Sequence, residues 1–98
     1  MGNMAKYELM LILNPSIGED EKKETLSSVK DAMTSRGAKI EKEDIWGDKH
    51  LAYKIKSSTT GYYTLYDLEI DGKVLVEITK IMNLNTNIWR HMFVRKDI

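Results

Sequence analysis

Along residues 6–13 apolar side chains occupy both alternations, with Tyr7, Leu9, Leu11 and Leu13 interleaved by Met10 and Ile12. A strand with two apolar faces belongs at the centre of a sheet, and Asn14-Pro15 ends it. Ser16 followed three residues later by Glu19 has the form of a capping box, with Ile17 beside it as a staple. The apolar period then lengthens to that of a helix: Leu26, Val29 and Met33 recur up to Arg36, and Gly37 supplies the stop. The Glu- and Lys-rich start of this helix reads as its solvated face.

Residues 38–56 read as one long strand, or two halves meeting near Trp46-Gly47. In the later half Leu51, Tyr53 and Ile55 alternate with His50, Ala52, Lys54 and Lys56. A polar turn is predicted over 57–61. A third strand follows over 62–70, with Tyr62, Tyr66, Leu68 and Ile70 on one face and Asp67 and Glu69 on the other. Asp71-Gly72 caps a second helix whose buried stripe is Leu75, Ile78 and Met82; residues 83–87 form a loop, and 88–96 a last strand. The order βαββαβ predicts an α+β sandwich, an antiparallel four-stranded sheet with both helices on one face. The other face is left uncovered, a natural docking surface.

At 98 residues the chain holds one domain, expected over 4–96. Met4 is the expected native start, with residues 1–3 a remnant of expression. The opening lacks a signal peptide's apolar stretch, and Lys6 breaks the myristoylation pattern. No apolar run approaches a membrane span. The absence of cysteine excludes disulfides and thiolate metal sites and fits a reducing cytoplasm.

Formal charge balances, with 15 Lys and Arg against 15 Asp and Glu. The balance is uneven along the chain. After Glu77 only Asp97 is acidic, against Lys80, Arg90, Arg95 and Lys96, and an acid-free window from Lys49 to Tyr66 holds Lys49, His50, Lys54 and Lys56. Two basic segments can build a local phosphate-binding face on a neutral protein, and they are equally compatible with an ordinary solvated surface.

Function must come from sites, since this topology hosts unrelated activities. An RNA recognition motif would need a Lys/Arg-Gly-Phe opening in the third strand, which Tyr62-Tyr63-Thr64-Leu65-Tyr66 lacks. An acylphosphatase-like enzyme would need a basic phosphate loop after the first strand, where Asn14-Pro15-Ser16-Ile17-Gly18 stands. His50 and His91 have no metal-ligand spacing to a partner. The acids Glu19, Asp20, Glu21 and Glu24 complement a helix dipole better than they form an acid/base pair. The chain does not read as an enzyme, and it calls for no metal, cofactor or small-molecule substrate. A binding module and an ACT-like regulatory domain, which would bind a small ligand at a dimer interface, both remain open on these grounds.

Several ordered motifs go further. Tyr7-Glu8 with Ile12-Leu13-Asn14-Pro15, Gly37-Ala38-Lys39-Ile40-Glu41, Trp46-Gly47-Asp48-Lys49-His50-Leu51-Ala52-Tyr53-Lys54-Ile55, Gly61-Tyr62-Tyr63 and Leu84…Ile88-Trp89-Arg90-His91 occur in sequence. Together they resemble the family of the sixth protein of the bacterial small ribosomal subunit, over residues 4–96. Lys54 departs from the pattern, standing where family members often have Pro; it restores a backbone donor and adds a charge. The resemblance implies a ferredoxin-like fold, a place in the cytoplasmic ribosome, and binding to the central domain of 16S ribosomal RNA beside small-subunit protein eighteen.

Phosphate contacts need Lys, Arg or backbone N–H groups on a rigid support. Lys49, His50, Lys54 and Lys56 lie in or beside the Trp-Gly signature on one strand and are expected to form an RNA-binding ridge, joined by Arg90, His91 and Lys6. Trp46 and Trp89 are expected to anchor packing. Trp89, if exposed, and Tyr63 are the expected contacts to the partner protein.

Overall fold

The structure is a computed structural model that describes residues 4–96, so the expected remnant at 1–3 lies outside the described residues. Its elements are β1 (Met4–Leu13), α1 (Glu19–Thr34), β2 (Lys39–Ile55), β3 (Ser58–Asp71), a 3-10 turn (Gly72–Val74), α2 (Leu75–Asn83) and β4 (Ile88–Arg95). The strands form one antiparallel sheet in the order β2-β3-β1-β4. This is the βαββαβ plan that the hydrophobic pattern predicts and the ferredoxin-like fold that the family resemblance implies.

β1 is central, and its two apolar faces go to different places. Leu9, Leu11 and Leu13 are buried with Tyr66, Leu68 and Ile70 of β3, beneath Leu26, Val29 and Met33 of α1 and Ile78 and Met82 of α2. The opposite alternation turns Glu8, Met10 and Ile12 toward the helix-free face, in register with Asp67, Leu65 and Tyr63 of β3. On β4, Val94, Met92 and Arg90 continue those rows.

α1 starts two residues later than its apparent capping box. Gly18 is the N-cap, no side chain caps it, and the Asn14 side chain instead accepts from the Ser16 N–H at 2.9 Å. The helix start is also not all solvated: Lys22 is buried, with its ammonium 4.6 Å from the centre of the Tyr62 ring. The long aliphatic stem packs and the charge finds a π-face. Gly37, at φ +89°, closes α1 as expected. The Gly37 N–H donates to the Thr34 carbonyl and the Ala38 N–H to the Met33 carbonyl, each at 3.1 Å, the paired bonds of a Schellman stop. Asp71 caps the next segment, accepting from the Lys73 N–H at 3.0 Å.

Tyr66 sends its hydroxyl out of the core to Glu43 on β2 at 2.8 Å, and Lys30 of α1 completes the cluster at 3.1 Å from the same carboxylate oxygen. Burial alone would raise the Glu43 pKa, but the bonds from Tyr66 and Lys30 outweigh it and hold the carboxyl below its ordinary value. Thr64, in register with Leu11 and Ile45, is buried with a hydroxyl that has no hydrogen-bond partner.

The β2–β3 hairpin departs most from the simple reading. At about 3.3 Å per residue, the 17 residues of β2 would run about 56 Å, beyond the 44 Å long axis of the whole molecule. Irregularities absorb the excess. Trp46 is an extra residue between Ile45↔Thr64 and Gly47↔Tyr63, and residues 51–54 have no register partner between His50↔Thr60 and Ile55↔Ser58. The expected polar turn at 57–61 is instead the pair Lys56-Ser57, at φ 49° and 66°, and β3 begins at Ser58. Positive φ at both positions is what a type I′ connection requires. Because 51–54 lie outside the ladder, the alternation expected there is broken. Tyr53 is exposed while Ile55 is buried, and Lys54 has no register partner on β3.

Gly61 permits the close approach at the base of this hairpin: a Cβ there would lie 2.5 Å from Ile12 Cγ2 and 3.2 Å from Leu51 Cδ2. Ile12 is β-branched and stiff, so it cannot swing clear. Gly61→Ala is therefore expected to cost about 1–3 kcal/mol, read as a lower urea midpoint at unchanged slope. Thr64→Val should raise stability by about 1 kcal/mol, because it removes an unsatisfied buried hydroxyl at constant shape; a lower midpoint would show that the hydroxyl is satisfied in solution.

Candidate nucleic-acid interface

The hairpin overhangs the sheet. β1 ends at Leu13, opposite Tyr62, so residues 58–61 of β3 and their β2 partners project beyond it. Most of the basic candidates gather at this end, on two surfaces rather than one ridge. Lys49 and His50 line a hollow on the helix-free side with Trp46 and Tyr63. Lys56, at the turn, lines a groove with Asn83, Thr86, Ile88, Trp89, Arg90 and His91 from the end of α2 and the start of β4. Lys54 lies exposed in the bulge between them. The expected ridge is divided between two surfaces: Lys49 and His50 lie before the bulge at 51–54, which breaks the two-residue period that would have aligned His50 with Lys54 and Lys56.

The tip is held toward β4 by Tyr53, whose ring lies 5.8 Å from the Arg90 guanidinium carbon. Arg90 is exposed and stays available at its outer edge. Among the described residues Lys49, Lys54 and Lys56 make no ion pair, whereas Lys22, Lys30, Arg36 and Lys96 each have a carboxylate partner. No carboxylate lines either the hollow or the groove.

His91 faces the other way from Arg90. Its Nε2 lies 2.8 Å from Asn83 Oδ1 on α2, where the ring N–H donates to the amide oxygen. Desolvation lowers its pKa below the ordinary 6.5, so at neutral pH it brings an uncharged ring, not a cation, to the groove. Lys6 is apart from the group: it pairs with Glu69 at the opposite end of β1, and its carbonyl accepts from the Lys96 N–H at 2.9 Å. That end is mixed in charge, with Glu8, Lys42, Asp44 and Asp67 around one depression and Lys96 bonded to Asp67 at 3.0 Å.

The two tryptophans differ from the expected packing anchors. Trp46 is 49% exposed and Trp89 half-buried in the groove wall. Tyr63 is half-buried on the helix-free face beside Leu65 and Met10, with Met92 and Val94 exposed farther along. Sequence reasoning missed Tyr53 as the link to Arg90, because the alternation placed it on a packed face. Among the described residues no cluster of His, Asp and Glu could hold a metal ion, and no helix is long and apolar enough to cross a membrane.

Comparison with known proteins agrees with this geometry. The ribosomal protein S6 family matches residues 6–95. The small ribosomal subunit protein bS6 of Fusobacterium nucleatum is 38% identical over 94 residues, covering 96% of this chain and all of that protein. The protein of the same name from Clostridium botulinum is 31% identical over the same coverage. The crystal structure of 30S ribosomal protein S6 from Thermotoga maritima superposes with a TM-score of 0.90 at 29% identity, over 96% of this chain and 89% of that one.

The His91 environment has a pH consequence. Above 6.5 the ring is neutral folded or unfolded; below it the unfolded chain takes up a proton that the folded ring resists. Folding stability should therefore fall as pH drops from 6.5 toward the lower folded value. In His91→Gln this part of the slope should be absent when urea midpoints are measured from pH 7.5 to 5.

Proposed function

This chain belongs to the ribosomal protein S6 family, and from that premise we propose that it binds the central domain of 16S ribosomal RNA together with small-subunit protein eighteen. Family membership makes it a structural constituent of the small ribosomal subunit, part of the cytoplasmic ribosome, and not an enzyme. It also leaves the ACT-like regulatory reading without support.

The observation that carries the RNA reading is the hairpin end of the sheet, where Lys49, Lys54, Lys56 and Arg90 project from β2, its turn and β4 around surfaces free of carboxylates. These cations would position the chain on the phosphate backbone; such contacts fix register rather than read sequence. His50 would contribute at the rim, and His91 from the groove wall as a neutral hydrogen-bonding group. Lys6, remote from this end, would contact RNA only where the RNA or the assembly wraps the sheet.

The partner protein fits the helix-free face. Met10, Leu65, Met92 and Val94 form an apolar band there, with Tyr63 at one end and Glu8 and Asp67 at the other. An apolar band bordered by acids suits a protein segment carrying basic residues and repels a polyphosphate. Trp89, half-buried, would anchor a partner that reaches over the start of β4.

Co-sedimentation with small ribosomal subunits in a lysate tests the assignment; a folded chain absent from them would overturn it. About four phosphate contacts should give a slope of log K against log salt of about −3 to −4. Replacing Lys49, Lys54 and Lys56 together by Ala should flatten that slope by most of its value, and an unchanged slope would remove these residues from the RNA surface.

A further inference from the structure

The hollow at Trp46 has a composition that backbone contact alone does not explain. Trp46 is the extra residue of a bulge, and the following Gly47 sits at φ +78°, a conformation that suits glycine. Trp46 has no register partner of its own on β3, and its indole lines the hollow with Tyr63. Its only donor is already used: the Trp46 Nε1–H donates to Asp44 at 2.9 Å. What remains presented is a flat apolar ring, 49% exposed and held in orientation by that bond. Tyr63 is directly across from Gly47 in the ladder. A Cβ at Gly47 would meet no atom within 4 Å, so the space over it is open, and Lys49 and His50 stand at its rim.

We propose that this hollow is a nucleobase pocket, in which one unpaired base of the bound RNA stacks against Trp46 and Tyr63 while Lys49 neutralises its phosphate. The proposal rests on the RNA-binding reading above and adds the kind of RNA feature recognised. The indole, its one donor engaged by Asp44, offers a π-face and not a hydrogen-bonding edge, so stacking on it does not select among the bases. A base inside a duplex cannot offer its face. The ligand is therefore a nucleotide in a loop, a bulge or an end. Charge favours this occupant over a basic protein segment: Glu8 and Asp67, with Lys42, lie around the depression farther along the face, whereas the hollow is rimmed by Lys49 and His50 and the one carboxylate beside it, Asp44, is engaged by the indole N–H.

The test uses the full chain and fluorescein-labelled RNA octamers, one of adenylates and one abasic octamer with the same ribose-phosphate backbone. The adenylate octamer should bind about 5- to 150-fold more tightly, the range that stacking of one base supplies. Trp46→Ala should abolish that preference and Trp46→Phe should largely retain it. Lys49→Ala should weaken both octamers alike and reduce the single-strand salt slope by about 0.7. Trp46 is half exposed, so the variants should melt close to the parent protein, which a thermal scan checks. Equal affinity for the two octamers, or no binding of either, overturns the pocket. So does a Trp46→Ala chain that keeps the preference, or one that instead loses a protein neighbour in sedimented subunits. Co-sedimentation with subunits is scored separately, so the pocket can fail while the ribosomal assignment stands.

Discussion

The rest of the molecule hangs on the pairing of β1 with β3. Ten consecutive residue pairs, from Met4↔Asp71 to Leu13↔Tyr62, join these strands without a slip. Moving either strand by one residue would turn Leu9, Leu11, Tyr66 and Leu68 out of the core and carry Glu8 and Asp67 into it. That cost locks the two central strands. Every irregularity lies elsewhere: in β2, at the overhanging end of the hairpin, and where β4 leaves register near Ile12 and Leu13. The regular centre is what allows the edges to be irregular, and the candidate binding surface is built from those irregular edges.

The element order, the central place of β1, both helices and the Gly37 stop were all legible in the sequence, because each follows from a period that burial enforces. The α1 capping box was misread because Ser16 and Glu19 have the right spacing, yet the Asn14 turn claims the Ser16 N–H first. Lys22 was misread because a helical lysine among acids resembles a solvated face, and only the position of Tyr62 shows where its stem goes. The basic candidates were legible as residue types but not as a surface. Their arrangement depends on a bulge at 51–54 and a positive-φ turn at Lys56-Ser57 that contains neither Gly nor Asn, so no local signal marks either. The exposure of Trp46 runs against the packing role expected of it, and the local signal for that is the Gly47 beside it, at φ +78°.

A neutral net charge does not describe this chain's electrostatics. Asp67 at the far end is bonded to Lys96, and the acids at the start of α1 lie with the helix layer. The Lys30–Glu43–Tyr66 cluster ties α1 to both strands of the hairpin. At the hairpin end Lys49, Lys54 and Lys56 are exposed and outside those ion pairs, with Asp48 beside Lys49 the neighbouring acid of β2. Separated in this way, one chain can present apolar and acidic surface along one sheet face and basic surface at its tip.

The unpaired stretch at 51–54 also divides the molecule dynamically. Amides of the β1–β3 ladder open only when the core does, whereas those around residues 51–54 and the Lys56-Ser57 turn open by local fluctuation at small free-energy cost. Hydrogen exchange along β3 should thus be graded, slow at Leu68 and fast toward Ser58, with the step near Gly61 where β1 ends. A hairpin tip that can breathe independently of its core can be reshaped by what it binds, while the rigid half of the same two strands keeps its place in a larger assembly.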